Sequence, residues 1–382
     1  DVCSSDLEIS YYFEVWDNDE VNGYKSSRSQ KMVFRAPTLD EINARTQQDN
    51  RDIKDEMEDI VRESRMLQSQ IEKLNRQLIN KETLSWQDKE QVRNLLEQQQ
   101  QLNNRLELLQ EKNMAKERRE QEYKDINESI LQKQEQLQEM FDELMTDEMK
   151  KMFEELQKLL EEVRKEDISE MLEKMQMSAE EIEMELDKNL ELFRQLEFDK
   201  KLTEAIEHLR ELAEKQEALS EKTDGREHER DELSEEQQGL NDDFDKAREE
   251  LDELEKLNSE LEEQHPMEDT GPMEENIQQE MENSLEQLKS GSRKKAGESQ
   301  KNAGEQMKKM AQKLFDMQME MQQESNAEDI RVLREILENL LIVSFDQEDL
   351  ISDLNITNIV DPRYQDIIRQ QFEIADNMKI IE

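Results

Sequence analysis

Methionines near the C-terminus are the side chains of this sequence whose type and spacing could bind a ligand. They recur at steps of three and four residues, which places them on one helix face: Met307, Met310, Leu314, Met317 and Met321, with Met319 beside them. Clustered thioethers can bind Cu(I), and flexible methionine surfaces can bind varied protein partners. The same spacing fits the apolar seam of a coiled coil. In a chain with 21 Met residues, we favour the seam and keep the partner-binding groove and the copper site as alternatives.

An acidic turn near the N-terminus could bind calcium. Asp17, Asp19 and Asn22 supply side-chain oxygens next to a glycine. The EF-hand pattern fails, however, because its fifth position would be Val21 and its glycine comes one residue late. Asp, Asn and Gly are also the usual residues of tight turns. The sequence therefore predicts a turn over 17–23, with a calcium site as the alternative.

The remaining reactive residues form no catalytic pattern. His208, His228 and His265 are far apart in sequence, and we expect His208 to be exposed on a charged helix. Cys3 is the only cysteine, which excludes disulfide frameworks and zinc sites built on cysteine. The sequence also lacks the common phosphate-binding, serine-hydrolase and zinc-protease motifs. We therefore predict a protein that is not an enzyme, with no catalytic, cofactor-binding or metal-binding residues and no cofactor.

Composition argues against a compact globular domain and against a nucleic-acid-binding protein. Of 382 residues, 40% are charged and 4% are aromatic, and the formal net charge is −47. A surface this acidic repels nucleic-acid phosphates and anionic membrane surfaces. No apolar run approaches the roughly 20 residues of a membrane-spanning helix. The expected partners are therefore other protein helices, either of this chain or of another protein. A homo-oligomer is one of the assemblies that such helix pairing permits.

Residues 8–37 differ from the rest, because aromatic and polar residues alternate there. The alternation predicts one strand over 8–16 and a second over 31–35. On the first strand, four side chains should share a face: Ile9, Tyr11, Phe13 and Val15. Two strands alone are marginally stable in water. We therefore expect a short β-hairpin left from a truncated β-sandwich domain.

The rest of the chain predicts a mainly α fold, with long amphipathic helices in antiparallel hairpins or coiled coils. A capping box at Thr38–Glu41 starts the first helix. Two apolar seams follow at steps of three and four residues: Ile53, Met57, Ile60, Ser64, Leu67, Ile71, Leu74 and Leu78, then Val92, Leu95, Gln99, Leu102, Leu106 and Leu109. The break at Asn80–Ser85 is short, which favours antiparallel packing of the two helices. The second helix should run from Trp86 to about Met145.

Similar spacing predicts further helices along the chain. Thr146 and Ser178–Glu181 look like helix starts, and Asp224–Gly225 interrupts the pattern. Heptad spacing then resumes: Leu240, Phe244, Ala247, Leu251, Leu254 and Leu261. We assign residues 38–264 to this region of coiled coils and helical hairpins.

The C-terminal part is expected to differ in flexibility and polarity. Residues 265–304 should be a helix flanked by flexible linkers, because Gly and Pro cluster at 265–272 and Gly recurs over 290–304. Residues 305–382 should form the Met-rich helix and a small helical bundle, in which ILENLLIV (336–343) packs against 362–382.

Both ends of the sequence predict a fragment. Residues 1–7, DVCSSDL, can begin with the codons GAC GTG TGC TCT TCC GAT, which resemble the end of a common sequencing adapter. We expect them to be non-native, an ordinary disordered start being the alternative. The last residues stop inside an amphipathic pattern without a helix stop signal, so the C-terminal bundle is expected to be truncated.

Two stretches resemble a known family. YYFEVWDNDEVNGYKSSRS (11–29) and LREILENLLIVSFDQEDLI (333–351) are similar to motifs of the domain-of-unknown-function family 4175. The resemblance implies a large bacterial envelope protein, anchored by N-terminal membrane helices, with an extracytoplasmic β domain before long helices. It implies the periplasmic side of the envelope as the location and carries no activity.

These observations lead to two hypotheses about function. The first is a non-enzymatic structural or interaction scaffold, the extracytoplasmic helical part of a membrane-anchored envelope protein. The second is a regulatory or adaptor arm of an envelope complex, with a Met-rich groove that binds a partner or copper.

Overall fold

The computed structural model describes residues 8–17, 25–35, 37–79, 81, 85–124, 126–144, 165–225, 228–356 and 363–381. Helices dominate these residues, which confirms the mainly α fold class. The helices are α1 (Leu39–Ile79), α2 (Trp86–Tyr123), α3 (Glu128–Leu144), α4 (Lys165–Asp224), α5 (Arg230–Glu260), α6 (Gly271–Lys289), α7 (Arg293–Ile356) and α8 (Arg363–Ile381). The strands are β1 (Glu8–Tyr11), β2 (Glu14–Trp16), β3 (Ser26–Arg28) and β4 (Met32–Arg35). Residues 1–7, with Cys3, lie outside the described residues.

The strands form a short antiparallel β-hairpin, as predicted, with an irregularity in its middle. β1 pairs with β4 and β2 pairs with β3. Between the two pairings, residues 12–13 lie opposite residues 29–31, so the register shifts by one residue. The Ser29 side-chain oxygen accepts a hydrogen bond from the Phe13 N–H at 3.0 Å and holds this β-bulge. The bulge divides the strand predicted over 8–16, and β3 was not predicted.

The large apolar side chains of the hairpin are exposed. The exposed set is Ile9, Tyr11, Tyr12, Phe13, Val15, Trp16, Met32, Val33 and Phe34. The Tyr11 and Phe13 rings meet edge to face at 6.0 Å, so these two share a face as expected. The origin of the hairpin in a β-sandwich domain stays a prediction.

The chain divides into two compact units. The first comprises Asp1–Lys201 and Lys256–Gln264, and the second comprises Leu202–Glu255 and His265–Glu382. The division falls inside α4 and inside α5, so the units cut across the predicted range 38–264. Nothing in the sequence marks this division, because helical spacing continues through both helices.

In the first unit, α1 and α2 lie antiparallel. Arg105 of α2 pairs with Glu56 of α1 at 2.6 Å, and Arg119 pairs with Asp49 at 2.6 Å. Residue numbers therefore increase along α2 in the direction in which they decrease along α1. All residues of the two predicted seams are buried. α4 packs against α1 as well, since the Ser64 hydroxyl donates to the Ala179 carbonyl at 2.9 Å. The antiparallel seam model is confirmed here.

Two helix boundaries in the first unit were predicted wrongly. The helix that begins at Trp86 ends at Tyr123, because Lys124 is extended and Asn127 accepts the Ile130 N–H at 2.9 Å to start α3. Ser178 lies inside α4 and is buried, so it starts no helix. The helix start predicted at Thr146 lies outside the described residues.

The second unit packs the C-terminal part of α4 with α5, α6 and α7. Residues 265–270 are not helical, in agreement with the predicted linker. The flexible linker predicted over 290–304 is wrong, because α7 begins at Arg293 and buries Ala296 and Ala303. Gly297 and Gly304 in this stretch permit close packing instead. A Cβ atom at Gly304 would lie 3.2 Å from the Ala213 carbonyl oxygen.

The C-terminal end of α7 pairs with α8 in a helical hairpin. Gln347 and Gln371 exchange hydrogen bonds of 3.1 and 3.0 Å between the helices, and Leu350 and Ile367 are buried. Leu340 and Val343 line a cleft together with Ile374 and Met378 of α8, so 336–343 lies beside the last helix, as predicted. In the described parts of the chain, none of the helices combines the length and the apolar character needed to span a membrane.

Candidate functional site

The acidic turn is only partly described. The Asp17 carboxylate accepts the Lys25 N–H at 2.9 Å, and the two backbones are also hydrogen-bonded. Asp19 and Asn22 lie outside the described residues, so the calcium alternative stays a prediction. Over the described ranges, no group of three or more His, Cys, Asp or Glu side chains is arranged to hold a metal ion.

The methionine seam is packed inside the second unit over much of its length. Met307, Met310 and Leu314 are buried, whereas Met317 and Met321 are partly exposed and Met319 is exposed. A ligand-binding groove or a copper site would need accessible thioethers. The burial of Met307 and Met310 therefore favours the coiled-coil seam.

His208 and His228 each lie near a carboxylate. His208 is partly buried, contrary to the exposed position expected, and its Nδ1 lies 2.9 Å from Glu250 Oε2. The hydrogen bond with Glu250 raises the pKa of His208, although burial opposes the shift. His228 lies 3.6 Å from Glu232. The His208–Glu250 contact joins α4 to α5.

A cluster of charged side chains, hereafter the charged layer, lies inside the first unit. Its members come from α2, α3 and α4: Lys116, Glu117, Glu120, Gln134, Glu197 and Lys200. Lys116 is only 1% exposed, and its Nζ lies 4.5 Å from the centre of the Phe193 ring. Glu120 Oε2 accepts from Lys200 Nζ at 2.6 Å and from Gln134 Nε2 at 3.2 Å. Glu197 accepts from Asn50 of α1 at 3.4 Å, so four helices converge here.

Burial and neighbouring charges set the pKa values in the charged layer. Burial lowers the pKa of Lys116 to about 8, and Lys200 adds to this effect. Burial raises the pKa of Glu117 and of Glu197. Burial would also raise the pKa of Glu120, but Lys200 and Lys116 outweigh it and lower that pKa.

The geometry of the charged layer favours a structural role. A lysine with a lowered pKa can act as a nucleophile, but a substrate must reach its amine, and Lys116 is closed in by the bundle. Charged groups at this depth must be paired in one arrangement to offset their desolvation. A polar residue at a seam position can fix helix register by this requirement. The charged layer therefore selects how α2, α3 and α4 align.

The sequence contains a signal for the charged layer beyond the end of the predicted seam. The predicted seam of α2 runs from Val92 to Leu109. Continued at the same steps of four, three and four residues, it reaches Asn113, Lys116 and Glu120. All three are buried at those positions. The steps identify seam positions whatever residue fills them.

The second unit contains an uncharged counterpart, hereafter the glutamine layer. It takes one residue from each of α4, α5, α6 and α7: Gln216, Gln237, Ser284 and Gln300, all fully buried. Gln237 Oε1 accepts from Gln216 at 2.8 Å, from Ser284 at 3.0 Å and from Gln300 at 3.0 Å. Shifting one helix along the others would break these bonds in an apolar interior. Each unit thus contains a buried polar layer that favours a single register.

The surface with the chemistry of a docking site lies on the C-terminal hairpin. The α7 stripe consists of five side chains, each more than half exposed: Ile330, Leu333, Leu337, Leu341 and Phe345. Beside it, α7 and α8 enclose an open cleft of about 550 Å³, lined in part by Leu340, Val343, Ile374 and Met378. Ile368 and Phe372 of α8 are exposed too. A contiguous apolar surface rimmed by polar groups is typical of protein interaction sites.

Comparison of the chain with protein-family models, with curated proteins and with solved structures gave no match.

Proposed function

We propose that this chain is a non-enzymatic structural or interaction scaffold, which docks other protein helices through the α7 stripe. The supporting observation is the exposure of the stripe on the α7–α8 hairpin, beside the open cleft between these two helices. Burying apolar area yields about 25 cal/mol per Å², so five large side chains on one side of a helix favour association. Helices with such a surface commonly bind other helices.

We further propose that the scaffold belongs to a larger membrane-anchored protein on the extracytoplasmic side of a bacterial envelope. The support is the resemblance of 11–29 and 333–351 to the family motifs. The second of these segments is the part of α7 that carries most of the stripe. The polar layers fit this function, because a scaffold must present its docking surface in one fixed helix register.

Photo-crosslinking tests the docking function. A photoreactive amino acid is placed at Leu337 of the full-length protein in the source bacterium, with the exposed Gln238 on α5 as the control position. We expect a protein crosslink from position 337 and none from position 238. Equal absence of crosslinks from both positions would refute docking through the stripe.

Cysteine labelling tests the location. In a Cys3→Ser background, Gln238→Cys should react with a membrane-impermeant maleimide in cells with a permeabilised outer membrane and an intact inner membrane. Labelling that requires lysis of the inner membrane would place the chain on the cytoplasmic side and contradict the envelope proposal.

A further inference from the structure

We infer that the α7 stripe docks onto the same stripe of a second copy of this chain, with the two α7 helices antiparallel. The inference rests on the proposed function, because it names the partner of the same surface. It follows from two features of α7: the spacing of its exposed apolar side chains, and the distribution of charge beside them.

The spacing makes the stripe complementary to itself. Leu333, Leu337, Leu341 and Phe345 follow one another at steps of four residues. An interface with two-fold symmetry requires that if residue i contacts residue j, then j contacts i. Two antiparallel copies centred between Leu337 and Leu341 meet this condition, since Leu333 then faces Phe345 and Leu337 faces Leu341.

The position of α8 leaves the stripe accessible to such a partner. Successive residues of an α-helix are rotated by about 100°, which places the stripe on one side of α7. Leu340, Val343, Gln347 and Leu350 fall on the adjacent side, where α8 packs. One edge of the stripe therefore meets α8 and its cleft, and the opposite edge carries charged residues.

The charged edge determines the orientation. Arg331 and Arg334 lie beside its N-terminal half, and Asp349 lies at its C-terminal end; all three are exposed. In an antiparallel pair, the arginines of each copy lie near the acidic end of the other. In a parallel pair, the charged edges of the two copies would lie on opposite sides of the interface, so the arginines of one copy would not meet the acidic end of the other. Complementary charges of this kind select partner and orientation.

The first test measures association of the full-length chain. Sedimentation velocity over a range of protein concentrations should give a dimer for the wild type. Leu337→Glu should weaken the dimer at least tenfold, because it places carboxylates inside the interface, whereas Gln238→Glu should not. Circular dichroism should show equal helicity for all three proteins, since Leu337 is 59% exposed in the single chain. A wild type that stays monomeric would overturn the inference.

The second test determines orientation. In a Cys3→Ser background, chains with Leu333→Cys and chains with Phe345→Cys are oxidised separately and as an equal mixture. An antiparallel pair should give disulfide-linked dimers in the mixture and few in either chain alone. Disulfide-linked dimers from each chain alone, at the yield of the mixture, would show a parallel pair and overturn the inference.

Charge reversal gives an independent check. Arg331→Glu with Arg334→Glu should weaken self-association at least tenfold, and Asp349→Lys should weaken it as well. Mixing the two variants should restore association, because every facing pair is then of opposite charge. Unchanged self-association of both variants would contradict the charge argument.

The outcomes separate this inference from the proposed function. A monomeric wild type with a crosslink from position 337 to a different protein would reject the second copy and keep the docking function. A monomeric wild type with no crosslink from position 337 would reject both.

Discussion

Replacing Lys116 by methionine should change how the stability of the first unit depends on pH. Lys116 is buried over the Phe193 ring, and burial lowers its pKa from 10.5 to about 8. In the unfolded chain the amine regains its ordinary pKa. Between these two pKa values the unfolded chain therefore holds a proton that the folded chain has released.

The sign and the magnitude of the change in stability with pH follow from this difference in bound protons. Stability rises with pH wherever the unfolded state binds more protons. The gain from Lys116 is absent below about pH 8, grows as the pH rises, and is complete near pH 10.5. Each pH unit in this window is worth about 1.36 kcal/mol. Wild type should therefore gain about 3 kcal/mol relative to Lys116→Met between neutral pH and the upper pKa.

Methionine suits this test because it keeps an unbranched side chain of similar length and removes the titrating amine. The measurement is the free energy of unfolding in urea, followed by far-ultraviolet circular dichroism from about pH 7 to about pH 10.5. Lys73→Met is the matched control, since Lys73 lies exposed on α1. The quantity of interest is the difference between wild type and variant at each pH. A difference that stays constant with pH would refute the lowered pKa of Lys116 and the desolvation argument for the charged layer.

Two further predictions concern the packing of the two units. Leu102→Ala should destabilise the first unit by about 2–5 kcal/mol, because Leu102 is buried in the seam of α2. Gln98→Ala, on the exposed side of α2, should change the free energy of unfolding in urea by less than about 0.5 kcal/mol. Equal effects of the two variants would refute the seam. His208→Gln should remove a stabilisation that is complete below pH 6.5 and is lost as the pH rises through the raised pKa of the folded state. Urea unfolding at both ends of this pH window measures the loss, with His228→Gln as the control. An unchanged pH dependence would show that the bond to Glu250 contributes nothing to stability.

Residue spacing was sufficient to predict the helical seams. Side chains at alternating steps of three and four residues share one face of a helix, so burying that face also buries a polar member such as Gln99. The antiparallel packing of α1 and α2 followed from the short break between them. The predicted seam ends before the positions where charged residues replace leucine, as at Lys116. The spacing was intact there, but charged residues are rarely fully buried, and the pairing that stabilises them becomes visible only when the other helices are in place.

Capping signals and glycines were less reliable because tertiary packing can override them. Ser178 precedes an acidic pair like a helix start, yet it lies within α4. Gly297 and Gly304 suggested a flexible linker, but they lie in α7, where a Cβ atom would meet Asp224 and Ala213. A glycine that ends a helix and one that permits close packing look alike in sequence. The α7 stripe could not be predicted, because the apolar residues of α7 give no indication of which side of the helix α8 covers.

Some methionines of the chain are buried and others are exposed, so their oxidation depends differently on whether the helices separate. Oxidation converts a thioether into a polar sulfoxide, which disrupts packed cores. Met66, Met177, Met184 and Met319 are exposed and can be oxidised while the bundles stay folded. Met307 and Met310 can react only when the helices around them separate. The extent of sulfoxide formation at Met307 and Met310, relative to the exposed methionines, therefore reports how much the helices of the second unit separate in an oxidising environment.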